Sequence, residues 1–240
     1  MTETKRALWD RFVDRFVDAA DPISLFEAAA DGTVDTIAYG RSGRRTLRRG
    51  ERMERRLREA GGRVVADYDR REGRYEGLVY MMYTLDGDEV VPRYLGKCGK
   101  FGASGTDLNS NLKNVDTNDG KLARWGYGNY YHFGDLSSAA FRDDGPGKYD
   151  RWLDALFAST DPPRLREPVY FWVEPWAVGT EGPYPDTRPY LEELEYQLIG
   201  IAFELYPERL LNTEGVPTNP AAYARMRGWT DREDTRLSDF

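Results

Sequence analysis

The stretch YEGLVYMMYTLDGDEVVPRYLGKCGKFG, Tyr75 to Gly102, decides the fold. Its first half, Gly77 to Leu85, is almost wholly apolar or aromatic, too short for a long helix and rich in strand formers, so it reads as a buried strand. Asp86-Gly87 marks a turn, because that pair supplies a positive φ cheaply, and a second run, Val90 to Leu95, follows within hairpin distance. Pro92 lacks an N–H, so the second strand lies at a sheet edge or begins after the proline.

On the N-terminal side, Leu8, Phe12, Phe16 and Val17 recur at helical spacing and predict a helix over Lys5 to Ala20. Asp21-Pro22 ends it and opens a second helix through Ile23 to Ala30. A basic helix is expected from about Arg45 to Ala60, stopped by Gly61-Gly62, with a short strand over Arg63 to Tyr68. On the C-terminal side, the spacing predicts helices from Tyr149 to Ala158 and from Tyr190 to Leu205, the latter ended by Pro207. Val169 to Val173, VYFWV, reads as a strand central to the sheet, and a loop rich in Pro and Gly, Pro175 to Pro189, follows it. The expected division is a helical region at 1–62, a core at 63–214 and a tail at 215–240.

The 240 residues are 40% hydrophobic, which excludes global disorder, and no run of eighteen apolar residues exists to span a bilayer. The opening MTETKRALWDRF lacks the apolar core of a signal peptide, so a cytoplasmic protein is expected. The single cysteine, Cys98, excludes an internal disulfide and a cysteine-based zinc cluster. Net charge is −7, yet Arg41 to Ala60 holds nine arginines against Glu51, Glu54 and Glu59. A basic stripe on an acidic body can attract phosphate, and Arg45, Arg48, Arg49, Arg52 and Arg56 are its candidate contacts. Pairing at i, i+4, as Glu51–Arg55 or Glu54–Arg58, is the structural alternative, and it leaves most of the arginines over.

Gly77-Leu78-Val79-Tyr80 on the first strand and Tyr94-Leu95-Gly96 on the second resemble the paired motifs of the GIY-YIG nuclease superfamily. An Arg, a Glu opening a later helix and an Asn follow in the order that family has, so the resemblance covers roughly Tyr75 to Asn212. It implies an α+β fold: a small mixed three-stranded sheet with flanking helices, here preceded by an N-terminal helical lobe. It also implies a site made of Tyr80, Tyr94, Arg124, Glu195 and Asn212, with Glu195 holding Mg2+ or Mn2+. Glu195 is chosen over Glu192 and Glu193 because Leu198-Ile199 follows it as in the family's pattern. The gaps from Tyr80 to Tyr94, from Tyr94 to Arg124 and from Glu195 to Asn212 are longer than the family's.

Such a set suits phosphodiester hydrolysis, in which charge develops on the non-bridging and leaving oxygens and must meet a cation. One carboxylate suits a magnesium ion that keeps most of its waters, and an arginine clamps phosphate in bidentate fashion. A tyrosine with a reference pKa of about 10 is about one part in a thousand ionised at neutral pH, so neighbours must help it act as a base. On this reading Tyr80 activates the attacking water and Tyr94 orients it, with Tyr83 the fallback on the same strand. His132, the only histidine, is a candidate proton carrier, as in restriction-type members, and Lys97 and Lys100 are candidate phosphate contacts.

The expected function is therefore metal-dependent endonucleolytic hydrolysis of DNA, most simply duplex DNA. A restriction-type or mobile-element role is preferred to repair, and a homodimer is the expected way for one active site to cut both strands. Two alternatives stand beside it. One is a catalytically silent nucleic-acid-binding module on the same fold. The other is a small-molecule or carbohydrate-binding protein built on the aromatic clusters Trp125 to Phe133 and Trp172 to Trp176.

Overall fold

The computed structural model describes residues 4–39, 41, 43–102, 104–115, 136–137, 140–141 and 147–216. Its centre is a three-stranded sheet of β3 (Tyr75–Asp86), β4 (Glu89–Gly99) and β7 (Tyr170–Ala177), in the order β4-β3-β7. Both pairings are antiparallel, so the sheet is not the mixed one expected. Burial follows the pleat. Leu78, Tyr80 and Met82 of β3 join one core, and Val79, Met81 and Tyr83 join the other. An apolar run without alternation thus becomes the middle strand, buried on both faces. VYFWV takes the edge position instead: β7 pairs with β3 alone among the named strands, and its outer side meets the irregular segment at Ile23 and Ser24.

The hairpin loop is Gly87-Asp88, with Asp86 paired to Glu89 and Gly87 at φ +60°. Glycine thus sits first of the two loop residues, where a positive φ is required. β4 is an edge strand and accommodates Pro92 inside it, as the missing N–H demands.

The first core is closed by α2 (Glu51–Arg70), α3 (Ser110–Lys113) and α4 (Gly147–Leu156), the second by α1 (Lys5–Phe16) and α5 (Leu191–Leu205). The structure is α+β with helices on both faces of the sheet. α1 packs into the core shared with α5, and Trp9 Nε1 donates to the Val90 carbonyl at 3.0 Å, so this helix belongs to the body rather than to a separate lobe.

Three local expectations fail for one reason, tertiary packing overriding local signals. Residues 23–30 are not helical, because Leu25 N–H donates to Val169 O and Phe171 N–H to Ile23 O, which extends the sheet edge and buries Leu25 and Phe26. The basic stretch is split: Thr36–Tyr39 and Arg44–Leu47 form the hairpin β1–β2, and the helix starts only after Gly50. That helix then runs through Gly61-Gly62 and over 63–68, where a strand was expected, so the boundary at 62 falls inside it. Its buried positions Met53, Leu57, Ala60, Gly61, Val64 and Asp67 keep helical spacing, and a Cβ at Gly61 would meet Val115 Cγ2 at 3.1 Å, so the glycine serves close packing. The stop comes at Arg71, in the left-handed region at φ 56°. The two remaining strands, β5 (Phe157–Thr160) and β6 (Pro163–Leu165), form a short hairpin beside the first core.

Candidate active site at the edge of the sheet

The outer edge of β4 carries unpaired backbone groups, and the chain after α5 covers them. Leu211 N–H donates to Arg93 O at 2.7 Å. Asn212 then pairs with Leu95 as a strand would: Leu95 N–H donates to Asn212 Oδ1 and Asn212 Nδ2 donates to Leu95 O, both at 2.9 Å. Asn212 therefore positions the edge; its amide is occupied by backbone.

Two residues further along the same edge, Lys97 meets α5. Its ammonium lies 3.2 Å from Glu195 Oε2 and 3.7 Å from Glu192 Oε1, and its backbone N–H also serves the Glu195 carboxylate. Tyr94, Lys97, Glu195, Tyr196, Asn212 and Glu214 line one small cavity of about 100 Å³. Burial raises the Glu195 pKa above that of an ordinary glutamate, against the pull of Lys97. For Lys97 burial works against the charged form, but Glu195 and Glu192 outweigh it and its pKa is raised. Glu195 is the partly buried, cation-holding carboxylate of the three candidates at the start of α5. Glu193 is used in capping, accepting from Tyr190 N–H at 3.0 Å, and the Glu192 side chain is 69% exposed.

The two motif tyrosines are neighbours, with ring centroids 6.3 Å apart, but they are not equivalent. Tyr94 reaches the cavity and packs on Trp152, centroid to centroid 4.6 Å. Tyr80 is fully buried beneath it and its ring covers Gly96, where a Cβ would stand 2.6 Å from Tyr80 Cζ and Oη. The glycine of Tyr94-Leu95-Gly96 thus exists to admit the other tyrosine. Burial raises the pKa of both hydroxyls. For Tyr94 the nearby Glu195 and Glu214 add to that rise, and a hydrogen bond with Tyr80 opposes it. The role expected for Tyr80, activating water, therefore does not fit its burial; Tyr94 is the tyrosine that faces the cavity. Tyr149 lies near both hydroxyls, a neighbour the sequence could have offered only through its i, i+3 spacing with Trp152 on α4.

Arg124 and His132, and with them the aromatic cluster Trp125 to Phe133, lie outside the described residues. Lys100 is no phosphate contact: it is buried and its ammonium donates to Asp67 Oδ2 at 2.9 Å. The basic stripe is largely neutralised by partners distant in sequence. Arg45 pairs with Asp161, Arg52 with Asp21 and Arg56 with Glu174. Locally, Arg48 pairs with Glu51, and Arg49, buried, with Glu54. Sequence reasoning counted only i, i+4 partners and so overestimated the spare positive charge.

Among the described residues no group of three or more His, Cys, Asp or Glu side chains could hold a metal by itself. Glu195 offers the cavity a single carboxylate, which Lys97 engages through its ammonium and its backbone N–H; a magnesium ion there would have to take its other ligands from water and phosphate oxygens. No helix among the described residues is long and apolar enough to cross a membrane. No family model matches the chain, and comparison with curated proteins and with solved structures returned no match.

Proposed function

We propose that the protein hydrolyses phosphodiester bonds in DNA, with the cavity formed by Tyr94, Lys97 and Glu195 as its centre. One observation carries this reading: Tyr94 and Glu195, which the motif order picked out a hundred positions apart, line one cavity with a lysine between strand and helix. A divalent ion on Glu195 would supply positive charge against the phosphate oxygens and the attacking water. The protein's own groups do the rest. Lys97 balances phosphate charge from the β4 edge, and Tyr94, kept protonated by burial and by Glu195 and Glu214, orients the attacking water by hydrogen bonding while that water's proton passes to a phosphate oxygen of the substrate. Tyr80 holds Tyr94 from below, and Asn212 fixes the strand edge against which both stand.

Nicking of supercoiled plasmid with magnesium or manganese tests the proposal, against EDTA and against Glu195→Gln with its fold checked by circular dichroism. Cleavage lost in both controls, by at least about a hundredfold in the variant, supports it; cleavage that survives Glu195→Gln removes this carboxylate from the chemistry. The Lys97 ammonium on Glu195 also favours a second reading, a catalytically silent DNA-binding module, which predicts salt-dependent binding with no cleavage by the wild type under any metal.

A further inference from the structure

The cavity at the β4 edge, about 100 Å³, has room for a phosphate group but not for the nucleoside attached to it, since pockets that enclose a small organic molecule start at about 300 Å³. A nucleoside whose phosphate is seated there therefore lies outside, over the rim. On the α5 side the rim is Tyr196, the residue after Glu195. Tyr196 lines the cavity and is still 55% exposed, while Tyr94 on the strand side is 7% exposed. The base of its ring is held in place. Gly215, in the left-handed region at φ +76°, comes so near that a Cβ there would stand 3.3 Å from Tyr196 Cδ1 and from Ile199 Cδ1. Among the described residues no second ring covers Tyr196, and its hydroxyl is near enough to the Lys97 ammonium to act on it electrostatically.

We propose that Tyr196 is a stacking platform for a nucleobase next to the phosphate at Lys97 and Glu195, so that the substrate is DNA with an unpaired nucleotide at the site of cleavage. The assignment rests on the phosphodiester reading of that cavity. Within a duplex a base is stacked between its neighbours, and laying its face on a protein ring requires extruding it; a single strand, flap or bulge presents the face without that cost. Charge points the same way. Among the described residues Lys97 is the one cation on the cavity wall, against Glu195 and Glu214, with Glu192 beside it. Attraction for phosphate alone is therefore small, and contact with the base has to supply part of the affinity. Stacking suits this, because every base has a π face, and it makes the choice of substrate one of strandedness rather than of sequence.

Fluorescence anisotropy of the full-length protein with a labelled single-stranded oligonucleotide tests the assignment, with calcium in place of magnesium as the oxygen-ligated cation. Two further probes are the same strand with abasic sites through its centre, which keeps the phosphates and removes the bases, and the perfect duplex. The intact strand should bind at least about tenfold more tightly than either. Tyr196→Leu, with its fold checked by circular dichroism, should bind the intact strand about tenfold more weakly with an unchanged salt slope, because no phosphate contact is lost. Tyr196→Phe, which keeps the ring, should restore the affinity. Equal binding of intact and abasic strands, tighter binding of the duplex, or a folded Tyr196→Leu protein with wild-type affinity overturns the platform and leaves the phosphodiester reading standing. Failure to bind any of the three probes overturns both.

Discussion

Glu195 sits where two demands conflict. Burial favours its protonated form, while Lys97 at 3.2 Å favours the carboxylate, and burial wins. Holding a cation needs the ionised form. The acid limb of kcat/KM for plasmid nicking should therefore fall at a pH above the about 4.3 of an ordinary glutamate, and it should move higher still in Lys97→Gln, which removes the opposing charge. A limb at or below that ordinary value would mean that Glu195 is not the titrating group. The folding contribution has its own sign: with the folded pKa raised, Glu195 favours the fold most below its unfolded pKa and loses that contribution as pH rises through the folded value. Asp67 is the reverse case. Burial alone would raise its pKa, but Lys100 and the N–H groups of Arg74 and Tyr75 outweigh it and the pKa is lowered. Its stabilisation is present above the unfolded pKa of about 3.9 and is lost as pH falls through the folded value. Asp67→Asn strands the Lys100 ammonium in the interior, and urea denaturation should show a loss of about 3–5 kcal/mol; a loss under about 1 kcal/mol would show that Lys100 escapes to water.

Among the elements, the β3–β4 hairpin carries both the fold and the site. Tyr80 and Gly96 are Cα partners across it, and the tyrosine ring fills the space above the glycine. Gly77 is under a similar constraint: its φ is +152° and a Cβ there would collide with the Cys98 carbonyl. Gly96→Ala must push the Tyr80 ring away and disturb Tyr94 stacked beside it. Overpacking of this kind typically costs about 1–3 kcal/mol. Nicking should fall by more than the folded fraction accounts for, and Tyr80→Phe, which keeps the ring, should retain the melting temperature within a few degrees (about 1 kcal/mol or less). A Gly96→Ala protein with wild-type stability and nicking would show that the ring has room to move. The hairpin was legible because a continuous apolar run, a turn glycine and a second run are local signals. The extent of α2 was not. Its Gly61-Gly62 pair carries a stop signal locally, yet Gly61 packs against Val115, a partner that sequence distance conceals.

At the scale of the molecule, electrostatics separates what composition suggests from what the surface offers. The arginines of α2 and of the segment before it meet Asp21, Asp161 and Glu174, so neutralising one of them removes little free positive charge. On the proposed reading Lys97 exchanges Glu195 and Glu192 for phosphate when DNA binds, so the slope of log affinity for DNA against log salt should fall by about 0.9 in Lys97→Gln and should stay unchanged in Arg52→Gln. The opposite ranking would move the proposed DNA-facing surface from the β4 edge to α2.

The buried hairpin, the edge position of Pro92 and the helices on either side of VYFWV follow from the sequence, because each rests on residues close together. Only the tertiary structure decided that α1 packs into the body, that β3 rather than β7 is central, that Tyr94 and not Tyr80 faces the cavity, and that Lys100 and the arginine stripe are occupied internally. Each of these depends on which distant groups share a buried space, and burial and ion pairing are properties of neighbours that only the folded chain brings together.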